Sequence, residues 1–169
     1  MWIAGNTSDA FSPAVLSPTG RARLFFVQIP AGGRSPGGQT AFGGLGGLRQ
    51  GAVATSIAHD SHNIIAVGTN DEDIAFAINR ISALQGGIVV AEGKKVIAEL
   101  PLPVAGLMSD APLEEVNDLL EQAKAAAHRM GVSCGIDPFM TLSFMSLPVI
   151  PSLKITTQGV FDVDRWQYI

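Results

Sequence analysis

A chain of 169 residues suits one domain around one sizeable core, and 47% hydrophobic against 15% charged residues excludes a disordered body and implies surface packed against something else. A net charge of −4, with no more than two Lys or Arg in succession, excludes the phosphate-neutralising footprint of a nucleic-acid binder. No run approaches the ~20 apolar residues of a membrane span, and Met1 to Thr19 lacks the pattern of a signal peptide, so the expectation is a soluble, cytoplasmic protein.

From residue 1 to about 47 the chain is rich in Gly and Pro. Arg23 to Ile29 is its one clear strand candidate, closed by Pro30. The glycines at 32–33, 37–38, 43–44 and 46–47 precede no Gly-Lys-Ser/Thr and open no helix, so they read as a flexible lead-in or linker rather than a phosphate cradle. The domain proper is expected over residues 48–169.

It opens with Gly51 to Ile57, whose small and β-branched residues read as a buried strand, and continues after a polar block with the strand Ile64 to Val67. Asn70 is placed to cap a helix, with Asp73 as the acid of a capping box and Asp71 to Asp73 favouring the positive end of the helix dipole. Ile74, Ile78, Ile81 and Leu84 recur at helical spacing, which predicts a helix over about 71–84 with Asn79 and Arg80 on solvated faces. Ile88 to Ala91 and Lys95 to Leu100, joined by a turn at Glu92-Gly93-Lys94, read as a hairpin.

A second helix is predicted over about 111–130, capped by Ser109 or Asp110 with Pro112 in its first turn, and stopped by Gly131. His128 near its end reads as structural. Cys134, the only cysteine, excludes an intramolecular disulfide and reads as a small buried side chain. Phe139 to Leu147 fits either a strand or a short buried helix, and Leu153 to Thr156 with Val160 to Val163 reads as a terminal hairpin. The fold class is therefore α+β: a mixed or antiparallel sheet of the Gly51, Ile64, hairpin and terminal-hairpin strands, with the two main helices packed on one side.

His59-Asp60-Ser61-His62-Asn63, between two strands, carries the candidate chemistry, because a sheet fixes the backbone while a junction leaves side chains free to meet a ligand. His59, Asp60 and His62 offer nitrogen and oxygen ligands acceptable to zinc, manganese or iron, but the two histidines reach one ion only if the junction bends. Ser61 invites a nucleophile reading, which needs a base facing the hydroxyl. A plain alternative stays open: Asp60 and Asn63 cap a tight turn and carbonyls satisfy the histidines. Glu99 and Asp110 follow apolar runs and could face the same pocket.

Further strings carry a family likeness. Gly51-Ala52-Val53-Ala54, His59 to Ile64, Val67-Gly68-Thr69-Asn70-Asp71-Glu72-Asp73, Leu100 to Asp110 and Asp137 to Phe144, followed by Leu147 to Pro151 and Leu153 to Thr156, together resemble the C-terminal domain of bacterial adenine deaminase, of the amidohydrolase superfamily, over about residues 46–169. The resemblance implies a hydrolase that converts adenine and water to hypoxanthine and ammonia with a divalent metal (manganese, iron or zinc) held in a barrel. No such metal-binding motif occurs in Met1 to Gln50, so the chain is expected to be accessory, or inactive alone, beside a separate barrel chain or in a homo-oligomer. Within that enzyme, His59, Asp60 and Ser61 would assist catalysis, His62 and Asn63 would contact substrate, and His59, Asp60 and His62 would form an auxiliary metal contact. A free-standing purine- or metal-binding module and a remnant without function are the competing readings.

Overall fold

A computed structural model of the chain describes residues 23–27, 37–41, 45, 48–59, 62–156 and 159–169. The strands β1 (Arg23–Val27), β2 (Gly37–Ala41), β3 (Ala52–Thr55), β4 (Ile64–Gly68), β5 (Gly87–Glu92) and β6 (Lys95–Pro101) form a six-stranded sheet in the order β2-β1-β4-β3-β5-β6. Every described pairing is antiparallel. β1 and β2 fall within the first 47 residues and extend the sheet beyond β4.

The central strands are buried residue after residue, with no polar alternation in β3, β4 or most of β5. A strand of that kind must be covered on both faces, and it is. Helix α1 (Asp71–Ala83) presses Ile74, Ala77, Ile78 and Ile81 onto Ala52, Ala54, Ile64, Ala66, Val89 and Ala91. Helix α2 (Leu113–Arg129) and the short helix α3 (Pro138–Ser143) cover the other face, where Ala123, Ala126, Ala127, Phe139 and Leu142 meet Val53, Ile65, Val67, Ile88 and Val90. The two main helices thus lie on opposite faces of the sheet, correcting the one-sided arrangement expected from sequence. Residue size is complementary across both layers: small alanines on the sheet receive the isoleucines of α1, and β-branched sheet residues receive the alanines of α2. Each fully buried isoleucine contributes roughly 1.5–3 kcal/mol.

The terminal strands β7 (Leu153–Thr156) and β8 (Gly159–Asp162) pair as expected but join β9 (Gln167–Tyr168) in a separate three-stranded sheet. The order of the main sheet, with β2 at one edge and β6 at the other, does not include them. The expectation of one sheet is corrected accordingly.

Three local expectations change and one open choice is settled. Helix α2 begins at Leu113 with Pro112 in the cap position and no side-chain cap, while the Ser109 hydroxyl accepts from Ala111 N at 3.2 Å in the preceding turn. The ψ of 149° at Pro112 keeps the chain extended up to the helix. Cys134 is exposed, because the connection from α2 to α3 runs over the surface. The segment left open between strand and helix is α3 followed by a 3-10 turn, Phe144–Ser146. Arg80, expected in solvent, is drawn into a two-pronged pair with Glu99, both contacts at 2.7 Å.

Candidate functional site

β3 ends at Thr55 and β4 starts at Ile64, so the polar block is the connection between two adjacent antiparallel strands at one end of the sheet. Ala58 is fully buried and fastens the connection to the core. His62 N donates to Ala58 O at 2.6 Å, and His62 takes a left-handed φ of 45°. The chain therefore turns back between Ala58 and His62, as is required if two histidines three positions apart are to face one another. They do: the rings meet edge to face with centroids 5.5 Å apart.

The second layer of the fold holds this bend in place. His59 N donates to Ser143 O at 2.8 Å, the Ser146 hydroxyl donates to His59 O at 2.8 Å, and the Phe144 ring stacks on the His59 imidazole at 4.9 Å and 25°. His59 is half-buried, His62 exposed and Asn63 buried. Asp60 and Ser61 lie outside the described residues. The described carbonyl contacts of the two histidines involve their main chains. Among the described residues, no three of His, Cys, Asp and Glu gather closely enough to hold a metal ion. The described side chains supply at most a pair of imidazole nitrogens, short of a full coordination sphere.

Neither Glu99 nor Asp110 forms a metal-holding group of three with the two histidines. Glu99 is engaged by Arg80 of α1, and Asp110 is exposed ahead of α2. His128 bonds through Nδ1 to Val132 O at 3.2 Å at the end of α2, in keeping with a structural role. Sequence reasoning gave no task to Ser56, which it placed near the end of the strand before the block. Its buried hydroxyl accepts from Gly87 N at 2.8 Å and donates to Gly106 O, tying the histidine connection to the start of β5 and to the turn after β6. Ser56→Ala leaves the Gly87 N–H without that acceptor, at a cost of about 1–3 kcal/mol. Thermal denaturation should register a fall of about 5 °C, and an unchanged midpoint would discount the clasp.

A sequence profile of the adenine deaminase C-terminal domain matches residues 22–167, reaching back to include β1 and β2 as well as the strings from about residue 46. Adenine deaminase of Bacillus licheniformis is 53% identical over 123 residues, covering 73% of this chain and 22% of the relative. The Methylobacterium nodulans enzyme is 54% identical over the same shares, and that of Bacillus subtilis 50% identical with 21% of its length covered. This chain thus spans about a fifth of the length of the curated relatives it matches.

Proposed function

We propose, from the premise that the chain belongs to the adenine deaminase C-terminal domain family, that it serves adenine deamination as an accessory domain, completing a purine pocket whose metal-holding wall lies in other polypeptide. The observation that carries this reading is the imidazole pair at the sheet end, braced by Ser143, Phe144 and Ser146 yet open on the His62 side. A neutral imidazole can accept from the exocyclic amine or donate to a ring nitrogen of a purine. The divalent metal implied by the family, whether manganese, iron or zinc, is not fully accommodated by the described side chains of this chain. We therefore assign His59 and His62 to orienting substrate, with Asp60 and Ser61 as catalytic candidates and Asn63 as a substrate contact on the ground of sequence.

Two measurements test this. The pure chain incubated with adenine and manganese, iron or zinc should release no ammonia above background, and metal-dependent turnover by the chain alone would overturn the reading. In a chimera carrying this chain in place of the matching fifth of the Bacillus subtilis enzyme, His62→Ala should lower ammonia release about tenfold, the loss of roughly one hydrogen bond in the transition state. Unaltered release would remove His62 from the site. Tight calorimetric binding of adenine or a divalent metal to the isolated chain would favour the free-standing binding module instead.

A further inference from the structure

Lys154 lies in β7 opposite Phe161 of β8, which in turn lies opposite Tyr168 of β9, so the three side chains form one row across the terminal sheet. Lys154 is only 6% exposed. Its ammonium finds two main-chain carbonyls, Pro151 O and Leu153 O, each at a long 3.4 Å. Among the described residues no carboxylate pairs with it. Asp162 is turned to the other face, with Arg165 within 3.7 Å of its carboxylate. Burial alone pushes the Lys154 amine below the ordinary lysine range. Beside it only the outer aromatics are open to solvent: Trp166 and Tyr168 pack edge-on against the buried Phe161, yet remain 69% and 49% exposed.

A buried ammonium with three donors and no described counter-charge is a poor way to stabilise an isolated domain. It is sensible where a neighbouring body supplies the missing acceptor, and the matched relatives carry nearly four-fifths of their length outside the part this chain covers. Resting on the accessory-domain reading above, we infer that the terminal sheet is the face on which this domain docks against the remaining polypeptide of the deaminase, and that the docking partner presents an Asp or Glu carboxylate to Lys154 within an apolar surface covering Trp166 and Tyr168.

The sign of one substitution decides it. In the isolated chain, Lys154→Met removes an uncompensated buried charge while nearly keeping its volume, and should raise the melting temperature by a few degrees. In the chimera with the Bacillus subtilis enzyme, the same substitution strands the partner's carboxylate and should lower it, by about 5 °C or more. Trp166→Glu should reproduce the loss in the chimera and change little in the isolated chain. Lys154→Met acting in the same direction in both proteins would overturn the inference, as would a parent chimera melting in two transitions at the temperatures of its separate parts. Neither readout uses ammonia release, so a failure at His62 leaves this result standing, and the reverse.

Discussion

Gly86→Ala is expected to lower the melting temperature of the isolated chain by about 10 °C or more. Gly86 follows α1 with a φ of +127°, where a side chain is strained whatever space surrounds it. Space is also lacking: an added Cβ would stand 2.2 Å from Gly106 Cα and 2.8 Å from Leu102 O. Both are backbone atoms, so relief requires the turn after β6 to move away. That movement breaks the bond from Leu102 N to Gly86 O, now 3.0 Å, and pulls Gly106 from the Ser56 hydroxyl. Strain and broken contacts together amount to about 3–5 kcal/mol, a large share of the roughly 5–15 kcal/mol that holds a domain folded. Gly93→Ala is the control: its φ of +57° is also left-handed, but nothing lies within 4 Å of the added atom, and the loss should be about 1 kcal/mol. Equal losses at the two positions would show that backbone strain, not the close approach to Gly106, governs Gly86.

Local signals wrote the parts of this fold that sequence reading recovered. Asn70 and Asp73 announced the start of α1, the Gly93-Lys94 turn announced the β5–β6 hairpin, and both stand within a residue or two of expectation. Asp137-Pro138 carried an equally local signal that went unused: the Asp137 carboxylate accepts from Phe139 N and Met140 N, and proline occupies the first turn of α3. The sidedness of the helices was legible too, since strands as uniformly apolar as β3 and β4 require cover on both faces.

What the sequence could not disclose is contact at long separation. The histidine connection announced itself by composition, but the residues that brace it come from α3 and the turn after it, more than eighty positions along the chain: the Ser146 hydroxyl reaches His59 O across 87 residues. Nothing in the spacing of His59 and His62 specifies Phe144 as the stacking surface, because that contact is created when α3 packs against the ends of β3 and β4. The clasp at Ser56 is of the same kind, joining residues 31 and 50 positions apart.

Replacement of Asp73 by alanine should destabilise the chain by about 2–4 kcal/mol near neutral pH, with a gap from the parent that narrows in acid. Asp73 is 4% exposed, and one carboxylate oxygen accepts from Asn70 Nδ2 at 2.9 Å while the other accepts from Lys94 N at 2.8 Å. Its own N–H donates to Asn70 Oδ1 at 2.8 Å, so one residue ties the start of α1 to the turn between β5 and β6. Burial pushes this carboxyl up, but the bonds from Asn70, Lys94 N and Gly93 N, with the charge of Lys94, outweigh burial and hold it below the ordinary 3.8. A carboxyl more acidic in the folded than in the unfolded chain contributes its full stabilisation above the unfolded value, and loses it as pH falls through the folded one. Alanine forfeits that contribution at every pH. Urea titrations of parent and variant should therefore stand well apart at pH 7 and draw together below pH 3.8, while Asp73→Asn, which keeps an acceptor for Lys94 N but sets its amide against Asn70, should fall between them. A gap that stays constant through the acid range would mean that the side chain contributes through shape alone, and that its charge is not what holds the helix to the hairpin.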